Sequence, residues 1–397
     1  MKNKIIFMVI NMNIGGTEKA LLSMIDEIDK AGWDVTILML EKFGGFLDEI
    51  PAWVNVKYVD EYSEVKPYVS NPPLVMIKKL MKEREYAKAL AMTYHYGISK
   101  ISNNSLYLNK YILRNVEVLN EEYDVAVAYA GPMDFITYFV HEKISAKRKV
   151  QWIHFDVTKV GFNEKLVKTL YPKFDKAFVV SEEGRRKLIN KFPELKNSTE
   201  VFHNIVSKKK IIELANKGVS YEDNFHGIRI LTVGRLSKEK GQDLIIPALA
   251  NLKAEGYKVR WYCIGEGNYR KECEELIKEY KVEKDFILLG SKKNPYPYMK
   301  DCDIYVQPSR HEGYCITLAE AKCFNNQIVA TDFTGAREQI QHKKTGLVCK
   351  VTKESIYESV KRLLDDKELF KYITANVEAL EINNYSDIAK LMKLTNK

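Results

Sequence analysis

Cysteine is scarce in this 397-residue chain and confined to its second half, at Cys263, Cys273, Cys302, Cys315, Cys323 and Cys349. None forms a C-x-x-C pair or a zinc-like spacing with histidine, which excludes a disulfide scaffold and a zinc ribbon. Reduced thiols packed as small apolar groups in a cytoplasmic protein are expected. Long apolar runs are missing too. The first run, residues 5–10, follows Lys-Asn-Lys and is too short for a secretory core, and nowhere do about eighteen apolar residues stand together, so neither a standard signal nor a membrane span is expected. No helix-turn-helix, zinc or aromatic-platform motif accompanies the basic bias, so nucleic acid is not an expected partner.

What is present is charge of both signs, 62 Lys and Arg against 53 Asp and Glu for a formal +9, and the excess is local. Residues 75–116 hold eight basic and two acidic side chains (8 − 2 = +6), interleaved with Met76, Met81, Tyr86, Tyr94, Tyr96, Tyr107 and Tyr111. Such a stretch suits an anionic membrane surface or a phosphorylated lipid. A solvated helical hairpin with ordinary core aromatics would carry the same composition.

Apolar β-branched runs alternate with helical patterns along the whole chain, the signature of parallel sheets with crossover helices. Strands are expected at 4–11, 34–40, 124–129, 149–154 and 176–181, then at 228–233, 259–265, 286–289, 304–308 and 327–331. A long helical insert, about 74–119, interrupts the first series. Helices fall at 17–31, 241–255, 269–280, 318–324 and 355–365, and a polar lysine-bearing joint lies near 204–226. The expected fold is α/β, two Rossmann-like domains facing a central cleft, with a ligand at the carboxyl ends of the strands.

The chemistry-bearing residues follow strand ends. After the first strand, Gly15 and Gly16 let backbone approach a ligand where a helix starts, although G-x-G-x-x-G spacing is absent and a tight turn alone would explain them. After residue 233, Gly234, Arg235, Lys238, Lys240 and Gly241 put cations around the first turn of a helix, a setting that favours a diphosphate. Gly265 and Gly267 end the next strand in G-E-G and would admit a flat ring. The stretch E-G-Y-C-I-T-L-A-E-A, residues 312–321, holds Glu312 and Glu320. On one continuous helix they would stand about 80° and roughly 12 Å apart, too far to share a proton. If the helix starts only after Gly313, Glu312 sits on the loop above it and Glu320 on its second turn, and the two can grip opposite ends of an extended ligand. Asp301-Cys302-Asp303 imitates a metal-binding D-x-D, but no metal is expected.

Taken together, G-G-T-E-K, G-R-L-S-K-E-K-G, I-G-E-G, D-C-D-I-Y-V-Q-P-S-R-H-E-G-Y-C-I-T-L-A-E-A and T-G-L-V resemble the retaining, nucleotide-sugar-dependent glycosyltransferases of family 4 (group 1), in their capsular and exopolysaccharide branch. The likeness is densest over 228–348. In the first half W-I-H-F-D, V-V-S-E and H-N-I-V also fit. The resemblance implies the GT-B fold and a metal-independent transferase in the cytoplasm or peripheral at the inner face of the plasma membrane. It also implies an acceptor-binding domain over 1–206, a donor-binding domain over 207–384, and a last helix over 385–397, with Ser386 as its N-cap, crossing back to the first domain.

Carried over residue by residue, Glu320 resembles the group that binds the donor ribose and Glu312 the one beside the donor sugar. Arg235 and Lys240 resemble a diphosphate clamp. Thr317 and Leu318 would offer backbone N–H groups to the phosphates, with Gly16 doing so from the other domain. His154 would touch donor sugar or acceptor, or be a satisfied core histidine; His311 raises the same question less sharply. No side chain presents itself as the nucleophile of a double displacement, so the resemblance implies front-face departure of the leaving phosphate. No cofactor is expected. The donor is a nucleoside-diphosphate sugar, a UDP-sugar first among them, and the acceptor a glycan or lipid-linked glycan, an undecaprenyl-diphosphate-linked one foremost. An epimerase or hydrolase of nucleotide sugars, and a non-catalytic partner of a transferase, are the competing readings.

Overall fold

A computed structural model describes residues 2–28, 32–130, 134–161, 163–379 and 385–395. It divides into two compact units, one of Met1–Val180, Gly184–His203 and Ser386–Lys397, the other of Ser181–Glu183 and Asn204–Tyr385.

The first unit is built on seven strands, β1 Asn3–Val9, β2 Trp33–Met39, β3 Asn55–Tyr58, β4 Leu119–Ala128, β5 Ile144–Ile153, β6 Lys176–Val179 and β7 Thr199–Val201. All pair in parallel, in the order β3-β2-β1-β4-β5-β6-β7. Ile5 to Met8 on the central β1 are fully buried, because helices cover both faces of such a sheet and its inner strands must be apolar throughout. The second unit repeats the plan with β8 Ile228–Val233, β9 Val259–Ile264, β10 Phe286–Leu288, β11 Ile304–Gln307, β12 Gln327–Thr331 and β13 Leu347–Cys349, ordered β10-β9-β8-β11-β12-β13.

Several elements differ from the sequence-based expectation. Strands β3, β7 and β13 lack the long apolar run of a central strand; each lies at a sheet edge, where only one neighbour covers the strand. The expected helical insert over 74–119 is made of Pro73–Lys82, Tyr86–Ser102 and Leu106–Ile112, preceded by a further helix, Tyr62–Ser70, and Leu119 already belongs to β4. Left-handed Arg84 (φ +65°) and Asn103 (φ +51°) stand at the breaks. The joint near 204–226 includes a helix, Lys208–Asn216, to whose Leu214 carbonyl the Asn294 side chain donates at 2.8 Å.

The last described helix, Ile388–Met392, has Asp387 rather than Ser386 at its N-cap, and the Asp387 side chain does not cap it. Instead Asp387 Oδ2 accepts the His203 backbone N–H at 2.8 Å and lies 3.1 Å from His203 Nδ1, while Lys390 Nζ meets Oδ1 at 2.5 Å. Burial pushes the Asp387 pKa up, but His203 and Lys390 outweigh it and hold it below the ordinary carboxylate value. A depressed carboxylate contributes stability that is complete above about pH 4 and fades as pH falls through its folded pKa. Asp387→Ala should therefore cost about 1–3 kcal/mol at pH 7, remove that part of the acid dependence in urea titrations, and release hydrogen-exchange protection in residues 386–395.

Candidate functional site

In an open parallel sheet, binding loops gather where strand order reverses. In the second unit that point lies between β8 and β11, with β9 continuing to one side and β12 to the other. Three contacts tie the two loops there. Lys240 Nζ pairs with Glu312 Oε1 at 2.6 Å. Arg310 makes a two-pronged bond to Asp243, both arms 2.7 Å, and also donates to the Lys238 carbonyl. Gly241 adopts φ +75° against Pro308, whose carbonyl oxygen would stand 2.1 Å from a Cβ, so only glycine fits.

Behind Glu312 runs a buried one-way chain of donors. Tyr305 OH donates to Gln307 Oε1 at 2.8 Å, Gln307 Nε2 to Ser309 Oγ at 2.8 Å, and Ser309 Oγ to Glu312 Oε1 at 2.7 Å. Thr317 Oγ1 also donates to Gln307 Oε1, at 3.2 Å. Glu312 is thus held as the terminal acceptor of a rigid network and of a cation. Burial opposes the charge of Lys240, yet the carboxylate of Glu312 overrides it and the lysine pKa is raised. The ammonium stays charged at neutral pH.

The helix beyond this loop spans Ile316–Ala321, so Glu312 lies on the loop and Glu320 in the second turn. Its N-cap is Cys315 at φ +64°, a left-handed position that a non-glycine side chain occupies at a cost of order 1–3 kcal/mol. Gln339 Nε2 donates to the Tyr314 carbonyl just before it. Thr317 and Leu318 occupy the first turn; Leu318 points its side chain into the core. Glu320 is buried and accepts from Tyr296 OH at 2.7 Å.

The remaining expected residues are distributed as follows. Arg235 is two-thirds exposed and pairs with Glu239 at 2.7 Å, not with the Lys240–Glu312 pair. Gly234 directly follows β8, its N–H bonded to the Ile264 carbonyl. Gly265 and Gly267 turn their missing side chains toward the carbonyls of Gly234 and Leu236, at 2.0 and 2.1 Å from an added Cβ. On that side the close approach they permit is between the loops themselves. His311 is exposed. Asp301 accepts from Ser220 and Asp303 from the Arg229 N–H, and no cluster of metal-ligating side chains occurs among the described residues.

In the first unit the corresponding reversal lies between β1 and β4. Gly15 caps the helix Gly16–Glu27 just after β1, with extended backbone. His154 follows β5, edge-on to Tyr129 at 4.5 Å and stacked on Trp152 at 6.1 Å, and its Nε2 is buried with no protein partner. Burial pushes its pKa down to about 3. The ring is neutral at pH 7, and serves there as hydrogen-bond donor or acceptor but not as a cation.

Both sheets, each parallel and each with its own reversal point, give the α/β architecture of the GT-B fold. Residues 222–379 match the family described as Glycosyl transferases group 1. Over 211 residues it is 33% identical to a Campylobacter jejuni N-acetylgalactosamine-N,N'-diacetylbacillosaminyl-diphospho-undecaprenol 4-alpha-N-acetylgalactosaminyltransferase, covering 53% of this chain and 56% of that one. It is 24% identical over 39% of its length to the Staphylococcus aureus capsular polysaccharide biosynthesis glycosyltransferase CapM, covering 41% of that protein. The chain thus spans about half the length of the curated relatives it matches. Two solved structures share the fold along nearly the whole chain. Anabaena HepE in complex with UDP and glucose has TM-score 0.68 at 17% identity, covering 98% of each chain, and S. aureus TarM has TM-score 0.70 at 15% identity, covering 100% of each.

Sequence reasoning missed Arg310, Asp243, Ser309, Gln307 and Tyr296. Arg310 and Ser309 adjoin Glu312 in the same loop, so proximity to the motif was an available signal; Tyr296 and Asp243 become neighbours of the site only through packing. The pairing also alters what removal of Lys240 does. Lys240→Ala strands Glu312 with one polar partner, so it should destabilise the fold by about 2–3 kcal/mol in urea, while Lys240→Met with Glu312→Gln should regain most of that loss. In NMR titrations the His154 ring should stay neutral from pH 8 to pH 5. Because its folded pKa lies below the unfolded value, its contribution to stability is complete above about pH 6.5 and declines as pH falls.

Proposed function

We propose that the chain is a retaining, metal-independent glycosyltransferase that moves a sugar from a nucleoside-diphosphate sugar to a hydroxyl of a lipid-linked or polysaccharide acceptor in surface-glycan synthesis, working at the inner face of the plasma membrane. The observation that carries the reading is the Lys240–Glu312 pair spanning the β8/β11 reversal, with Glu320 held by Tyr296 in the adjoining helix. In this reading Glu320 accepts from the donor ribose hydroxyls. Lys240 bridges Glu312 and the diphosphate, exposed Arg235 swings from Glu239 onto it, and the amides of Thr317 and Leu318 add neutral donors. Gly234, Gly265 and Gly267 shape the floor; Gly15 and Gly16 lie at the first unit's reversal point, and His154 offers a neutral ring to a sugar hydroxyl. The UDP bound in the HepE and TarM complexes favours a UDP-sugar, and the Campylobacter relative's name favours a diphospho-undecaprenol-linked acceptor.

In the transfer, the anomeric carbon–phosphate oxygen bond breaks and the acceptor oxygen bonds on the same face. The departing phosphate takes the hydroxyl proton, and its growing charge is met by the two cations. One such contact is typically worth about 2–4 kcal/mol in the transition state. Arg235→Ala is the clean probe, since its guanidinium pairs with a solvent-facing carboxylate one turn away, that of Glu239. It should lower kcat about a hundredfold and leave stability within about 0.5 kcal/mol. A thermal-shift panel of UDP, GDP, ADP and their sugars should show stabilisation by one nucleotide that Glu320→Ala abolishes. Equal indifference to all, or sugar epimerisation or donor hydrolysis without acceptor at full rate, would overturn the transferase reading.

A further inference from the structure

The insert displays a second apolar face that its own core does not use. Seventeen large hydrophobic side chains are exposed among the described residues, and eight of them lie between Leu74 and Tyr107. The helix Tyr86–Ser102 buries Ala89 and Met92 in the first unit's core. It leaves Tyr86 (62%), Leu90 (74%), Tyr94 (64%) and Ile101 (89%) exposed. At 100° per residue these four fall within an arc of about 80°, with Met92 about 160° from its middle. Gly97 lies inside the same arc, with open space where its side chain would be. The preceding helix, Pro73–Lys82, buries Met76 and Leu80 in that core and exposes Leu74 and Met81, about 20° apart on its wheel, beside Lys78.

We propose that this face is a membrane-docking surface for an anionic bilayer. Scattered exposed apolar residues need no explanation, but an aligned stripe of them marks an interaction site. The occupant follows from the rest of the composition. The hairpin's exposed cations Lys78, Lys82, Arg84 and Lys100 flank the stripe, and its two acids, Glu83 and Glu85, sit together at the turn, where Glu85 pairs with Lys88 on the opposite side of the helix. Lysine stems lie along apolar surface with the ammonium at the phosphate level, and tyrosine rings favour the headgroup boundary. A second copy of the same face would bring like charges together, which disfavours self-association. The surface extends the reading of a transferase acting on lipid-linked acceptors. Its test reads vesicle binding, not turnover, so the two fail separately.

Sedimentation with vesicles of phosphatidylcholine containing about a third phosphatidylglycerol should pull down the full chain, less so at high salt, and phosphatidylcholine alone should retain little. Leu90→Glu with Ile101→Glu should weaken binding at least about tenfold, and Lys78→Glu with Lys82→Glu comparably. UDP-induced thermal shift should be unchanged in both variants. Because the six native cysteines are buried, Ile101→Cys can be labelled selectively with an environment-sensitive dye, whose emission should move to the blue on adding anionic vesicles. No sedimentation of the parent chain, an unmoved spectrum, or a blue shift that depends on protein concentration without lipid would overturn the proposal, the last in favour of a second copy as occupant.

Discussion

The second unit's site rests on one ion pair. Lys240 and Glu312 come from loops after different strands, and their bond closes the point where β8 and β11 part. Neither charge is fully solvated, so each depends on the other, and the arrangement is stable only while both are present and correctly aimed. The chain of donors from Tyr305 to Ser309 removes the freedom of Glu312, and the forked Arg310–Asp243 bond removes that of the loop bearing Lys240. A polar group oriented before a ligand arrives need not be reorganised when charge develops beside it.

The same economy appears in the backbone. Gly241, Gly265 and Gly267 each face a carbonyl of a neighbouring loop at a distance no Cβ tolerates. Their absent side chains let loops from β8, β9 and β11 pack edge to edge, which brings the polar residues they carry within bonding distance. The left-handed Cys315 serves a related end, turning the chain so that the helix bearing Glu320 begins only after Glu312 has been placed on the loop.

The central strands were readable because each is buried on both faces, and β8 and β12 were legible to the residue. The edge strands β3, β7 and β13 were not, since an edge strand has one neighbour and no need of a continuous apolar run. Gly241 and the cations around it were visible as a cluster, but not which cation meets which acid. Arg235 and Lys240 look equivalent in G-R-L-S-K-E-K-G, yet one lies on the surface against Glu239 and the other is locked to Glu312.

By itself the sequence determined the two parallel sheets, their alternating helices and the loops that carry the polar residues, because periodicity and burial are local consequences of composition. Only the tertiary structure decided that Tyr296 orients Glu320, that Arg310 fixes the lysine-bearing loop, and that one face of the helix Tyr86–Ser102 stays open to solvent. Those outcomes depend on which distant segments pack together, and a contact between residues far apart in the chain leaves no periodic trace in either one.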